Sequence, residues 1–97
     1  MLVVYLHGFN SSAQSSKARL LGEYLRQRGL SHCYASPSLP HRPAQAIATA
    51  EAAMAGNPGS EVCFVGSSLG GFYATHLAEK HDARAVLINP AINPHVG

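Results

Sequence analysis

The order of its apolar segments limits the fold of this chain more than any other feature. Four short runs of strand character, Leu2 to Leu6, His32 to Ser36, Glu61 to Val65 and Ala83 to Ile88, are separated by three stretches of helical character. The first run is continuous and apolar, which suits a strand buried on both faces. A helix is expected over about Ala13 to Arg28: Ser11 with Gln14, or Ser12, can cap it, and Leu20, Leu21, Tyr24 and Leu25 repeat at helical spacing before Gly29. Pro43 suits the first turn of a second helix, an alanine-rich segment to Ala55 with Ile47, Ala50 and Met54 on one face. A third is expected from about Leu69 to Lys80, with Leu69, Phe72, Tyr73, His76 and Leu77 as a wide apolar face. The alternation β-α-β-α-β-α-β indicates an α/β fold: a parallel, right-handed, doubly wound sheet with helices on both faces.

Ninety-seven residues without repeats or a low-complexity linker make one domain, residues 1–97. Hydrophobic residues are 46% of the chain and charged ones 12%, a balance that excludes a disordered tail or a charged coiled coil. The net charge of +2 comes from scattered Lys and Arg, so no nucleic-acid footprint is present. The run Leu2 to Leu6 is too short for a signal sequence and nothing approaches a membrane span, so a cytoplasmic protein is expected. Cys33 and Cys63 each fall in an expected strand and read as free, core-packed thiols. The six histidines lack metal-ligand spacing, and neither a metal nor a cofactor is expected.

Chemistry concentrates in Gly66-Ser67-Ser68-Leu69-Gly70, a G-x-S-x-G between the third strand and the third helix. A serine hydroxyl becomes a nucleophile only when it is exposed, relieved of its proton by a base, and faced with donors for the oxyanion it creates. A tight strand-to-helix turn supplies the exposure, and Gly66 and Gly70 remove side chains that would collide with neighbouring backbone. Ser68 is therefore the candidate nucleophile. Ser67, at the x position, reads as a small polar residue of the turn. The helix N-terminus favours developing negative charge.

His7-Gly8-Phe9-Asn10, after the first strand, is the second candidate segment. In α/β-hydrolases one oxyanion donor is the N–H after the nucleophile, here Leu69, and the other comes from a loop in this position, where Phe9 is the natural donor. Gly8 lets the backbone approach, Phe9 or Asn10 lines the pocket, and His7 reads as a hydrogen-bonding support of the loop rather than the general base.

The segments LHGFNSS at residues 6–12, VGSSLGGFYAT at 65–75 and NPA at 89–91 together resemble the YqiA/YcfP-like family of small bacterial esterases. The resemblance covers essentially the whole chain, with the three motifs in family order and at matching intervals. It implies a compact α/β-hydrolase without a large lid, acting on short acyl esters, with Ser68 as nucleophile and the Phe9 and Leu69 amides as oxyanion donors. It also implies an order of four strands 2-1-3-4. Members of that family run to roughly twice this length, and the fold takes its acid and then its histidine after the serine. The chain is thus expected to be the N-terminal half of such an enzyme, a truncated form with the triad acid and base missing. Asn89 stands where a carboxylate would serve. Asp82, Glu79, His76 and His81 fall toward the wrong end of the sheet, and nothing orients His95.

Two functions remain open from these residues. The first is a serine esterase whose substrate is a small-molecule ester, with thioesterase and acyltransferase chemistry sharing the same turn. The second is a non-catalytic hydrolase-like module that binds or self-associates. The fourth strand would be an exposed apolar edge, so homo-oligomerisation through it is expected. A dinucleotide-binding reading fails because no G-x-G-x-x-G follows the first strand.

Overall fold

The computed structural model of the protein describes residues 1–8, 13 and 15–90. Within them strands β1 (Leu2–Leu6), β2 (Tyr34–Ala35), β3 (Val62–Ser68) and β4 (Arg84–Pro90) alternate with helices α1 (Ser16–Gln27), α2 (Pro43–Ala53) and α3 (Gly70–His81). The four strands form one parallel sheet in the order β2-β1-β3-β4, as expected. Side chains alternate across a strand, so β1 feeds two cores at once. Val4 and Leu6 join Val62, Phe64, Ala50, Met54, Ala74 and Leu77 beneath α2 and α3. Tyr5 joins Ala18 and Val65 beneath α1 on the other face.

The helices lie closer to the sheet than the bulky residues of their sequences suggest, and this turns their faces. In α1, Leu20 is 70% exposed and Tyr24 51%, while Ala18 and Leu25 are buried and Leu21 is half-buried. The reason is Tyr34 of β2. Its hydroxyl donates to the Ala18 carbonyl at 2.7 Å, and its ring lies where a Cβ on Gly22 would approach Cε2 to 3.0 Å. Small residues at 18 and 22 let the helix rest on that ring, leaving the larger Leu20 and Tyr24 outside. The same holds for α3, where Gly70, Gly71, Ala74 and Leu77 face inward and Phe72 is 55% exposed. Of the expected apolar face of α3, Leu77 is buried and Tyr73 packs half-buried against the core. His76 is exposed.

Element ends differ from expectation for local reasons. Helix α1 starts at Ser16, capped by Ser15, whose side chain accepts from the Ala18 amide at 3.3 Å. Ser11, Ser12 and Gln14 lie outside the described residues. Strand β2 is only two residues long, because Ser31–Cys33 closes into a 3-10 turn with the Cys33 amide donating to the Leu30 carbonyl at 2.9 Å. Cys33 is therefore a half-buried turn residue rather than a strand residue. Strand β3 continues through the glycine and both serines, because pairing to β4 persists through Ser67↔Ile88 and, after a bulge, Ser68↔Pro90. The proline takes the last position, where a missing N–H costs least.

Helices α2 and α3 are tied at the end remote from Ser68. Glu51 Oε2 accepts from Lys80 Nζ at 2.8 Å and pairs with His81 Nε2 at 2.7 Å. These contacts, that of Lys80 foremost, hold the Glu51 carboxyl below its ordinary value. A lowered carboxylate adds stability that is complete above its unfolded pKa of about 4.3 and disappears as pH falls through the folded value. Glu51→Gln is expected to cost about 0.5 kcal/mol near neutral pH, allowing for solvent screening. Urea unfolding should show the difference from the parent protein closing as the pH is lowered through the acid range.

Candidate functional site

β3 delivers two adjacent serines to the carboxyl end of the sheet, and their surroundings differ sharply. Ser67 is 8% exposed, whereas Ser68 is exposed at the point where strand gives way to helix. Ser68 has φ +55°, a left-handed conformation that costs a residue with a Cβ about 1–2 kcal/mol. Leu69 follows in helical conformation as the N-cap of α3, with the Phe72 amide donating to its carbonyl. Ser68 thus stands on a sharp turn ahead of the α3 N-terminus.

Three close backbone approaches make that turn possible. A Cβ on Gly66 would lie 2.5 Å from the Gly70 carbonyl oxygen and 2.6 Å from the Gly71 Cα. A Cβ on Gly70 would lie 2.0 Å from the Leu6 oxygen, so the first turn of α3 rests directly on the end of β1. A Cβ on Gly8 would meet Ser68 Cβ at 3.0 Å and the Leu69 amide nitrogen at 3.3 Å. The chain leaving β1 therefore passes, at Gly8, beside the Ser68–Leu69 peptide. Phe9 and Asn10 themselves lie outside the described residues, as does His95.

His7 is buried, and both of its ring nitrogens are engaged. The Leu39 amide donates to Nε2 at 2.9 Å, and Nδ1 lies 3.0 Å from the Gly8 carbonyl. A backbone N–H can only donate, so Nε2 is the acceptor and the proton sits on Nδ1, pointed at Gly8. Such an imidazole has no free nitrogen to relieve Ser68 of its proton. A second tie runs parallel to it: Ser36 Oγ donates to the Ala13 carbonyl at 2.9 Å. The segment between β2 and α2 thus grips the β1–α1 connection at both ends. Sequence reading missed Ser36 and Leu39, since partners 23 and 32 positions away leave no local pattern.

The remaining ionisable candidates lie elsewhere. His81 is bound to Glu51 at the far end of α3, and Asp82 caps that helix end in a left-handed conformation at φ +54°. His76 and Glu79 are on the α3 surface. Among the described residues, none of these groups reaches the Ser68 hydroxyl. The backbone of Asn89 runs in β4 next to Pro90, the strand partner of Ser68. Both cysteines are free thiols. Burial pushes the Cys63 thiol up, with Arg84 drawing it partly back, which keeps it protonated and unreactive. Among the described residues no group of three or more His, Cys, Asp or Glu is placed to hold a metal ion, and no helix is long and apolar enough to cross a membrane.

Comparison with known families bears on the chain as a whole. The model of the Uncharacterised protein family (UPF0227) matches residues 2–96. The chain belongs to this family. It is the YqiA/YcfP-like family that the segments at 6–12, 65–75 and 89–91 resemble, and its α/β-hydrolase type of fold agrees with the parallel 2-1-3-4 sheet. The match takes in β1, the turn at Ser68 and β4 alike.

The strain at Ser68 is measurable. Removing the hydroxyl while keeping the Cβ (Ser68→Ala) retains the left-handed penalty, whereas Ser68→Gly relieves it. Ser68→Gly is expected to be about 1 kcal/mol more stable than Ser68→Ala in urea unfolding. Equal stabilities would mean that the turn carries no strain at this residue.

Proposed function

We propose that the protein is a serine hydrolase that cleaves small acyl esters through an acyl-enzyme on Ser68. The observation that carries this reading is the exposed, left-handed Ser68 between β3 and α3, with the Gly8 backbone against it. In the proposed reaction Ser68 Oγ bonds to the acyl carbonyl carbon and its proton passes to a general base. The carbonyl oxygen becomes an oxyanion held by the Leu69 and Phe9 amides, in the field of the α3 N-terminus. Collapse breaks the ester bond, the alcohol leaves with a proton, and water then releases the acid and restores the serine. In this reading His7 and Gly8 shape the oxyanion loop, while Gly66 and Gly70 permit the turn. That His76, Glu79, His81 and Asp82 lie along or at the far end of α3, away from the Ser68 hydroxyl, favours a second reading, a hydrolase-like module that binds without turnover.

A fluorophosphonate probe separates the two. Covalent labelling mapped to Ser68 by mass spectrometry, and lost in Ser68→Ala, is expected of the hydrolase. A folded protein that takes no label at Ser68 is the inert module. Hydrolysis of p-nitrophenyl acetate then distinguishes turnover from a single acylation.

We further propose that copies associate through β4. It lies at the sheet edge, and Val86 and Leu87, adjacent and so on opposite faces, are 50% and 45% exposed. Sedimentation at micromolar concentration is expected to show a species larger than a monomer, shifted back toward monomer by Val86→Lys. A monomer under those conditions would overturn the association.

A further inference from the structure

His7 is where the strip between β2 and α2 meets the backbone beside Ser68. The strip reaches it through one bond, the Leu39 amide donating to Nε2 at 2.9 Å. On its other side Nδ1 lies 3.0 Å from the Gly8 carbonyl oxygen. Gly8 in turn passes so near the turn that a Cβ on it would meet Ser68 Cβ at 3.0 Å. The start of α3 presses on the same segment, since a Cβ on Gly70 would lie 2.9 Å from the His7 carbonyl oxygen. His7 is 8% exposed, so its ring has little freedom to exchange these partners for water.

Each of the two contacts has a fixed polarity. The Leu39 N–H cannot accept, so Nε2 must offer a lone pair, and the Gly8 oxygen cannot donate, so Nδ1 must carry the proton. A second proton, on Nε2, would keep the Gly8 contact and set two donors against each other at Leu39, a contact that must break. No carboxylate stands by to hold the added charge. All five Asp and Glu of the chain lie toward the amino ends of the strands. Glu61 precedes β3, Glu51 is late in α2, Glu79 and Asp82 are at the end of α3, and Glu23 is late in α1 and paired with Arg26. The end of β3 and the start of α3 have no titratable group before the half-buried Tyr73, and the segment 9–14 has none. Tyr5 of β1 and Tyr34 of β2, beneath α1, bring phenols rather than carboxylates. The strip itself adds the exposed His41 and Arg42, neither of which bears negative charge.

We propose that His7 and the Leu39 amide are a positioning pair for the Ser68 turn, one that holds only while His7 is neutral. Uptake of one proton at Nε2 releases the strip 37–42, and the backbone that Gly8 lays beside Ser68 and Leu69 loses its support from that side. The latch belongs to the fold. It operates whether Ser68 is acylated or the chain is a module without turnover, so its test needs no reaction.

Two-dimensional NMR from about pH 8 down to about pH 5.5, the range across which histidine titrates, tests it. At the upper end the ring nitrogen shifts should show His7 protonated on Nδ1 alone. As the pH falls, the Leu39, Gly8 and Leu69 amides should move together with one midpoint, that of the His7 ring, and the Leu39 amide should lose its protection from hydrogen exchange. His7→Gln offers Leu39 an acceptor that does not titrate. It should abolish these shifts and leave those around His81, at the remote end of α3, as they are in the parent protein. A neutral His7 protonated on Nε2, or Leu39 and Leu69 midpoints that differ from that of the ring, would overturn the proposal, and both are read on the parent protein should the variant fail to fold. Shifts that persist in a folded His7→Gln would overturn it as well.

Discussion

Three backbone segments meet around the Ser68 turn without side chains between them, and the rest of the arrangement depends on that contact. The end of β1, the end of β3 and the start of α3 touch through Gly8, Gly66 and Gly70. Elsewhere in the core, packing is set by side-chain shape and can adjust when a methylene is gained or lost. Here the atoms that would collide belong to the main chain, which gives little ground. The left-handed Ser68 can persist only because this contact fixes both its neighbours.

Around that contact the molecule is organised by a division of labour between small and large residues. Phe64, Leu6, Leu77 and Tyr5 fill the two cores, while glycine and alanine set how near each helix comes. A helix that approaches closely has less room for its own bulky residues. That is why Leu20, Tyr24 and Phe72 stand at the surface of a chain otherwise rich in buried apolar groups. The loops are held from the side as well: the strip between β2 and α2 fastens to the β1–α1 connection through His7 and Ser36, so an element with no residue in the turn steadies the segment beside it.

The parallel sheet and the position of the turn were legible in the sequence because each is written locally, whereas the strand order followed from the family resemblance. A five-residue apolar run, a G-x-S-x-G and a proline at a helix start need no distant partner to be recognised. The rotation of α1 and α3 was not legible, since it follows from Tyr34 and β1 pressing on small residues, and bulk alone pointed to the other side. The extent of β3 was hidden for a related reason: glycine and serine are poor strand formers in isolation, and only pairing with β4 carries the strand to Ser68. His7 was readable as a support of its loop, but its partner Leu39 was not. Of the residues named for the oxyanion, Leu69 is placed and Phe9 lies outside the described residues.

The contrast between the buried Ser67 and the exposed Ser68 has a consequence for how this chain tolerates change. Val62, Phe64 and Gly66 share the parity of Ser68 and are buried, so Ser68 owes its exposure to its place where strand gives way to helix and not to the face it occupies. Losing one residue from β3 would move every later side chain to the opposite face of a sheet that carries a core on both, and would draw Ser68 back from the backbone contacts that hold the turn. Length in this strand is therefore constrained more tightly than composition. Many apolar substitutions could preserve the site, whereas no single-residue insertion or deletion between Val62 and Ser68 could.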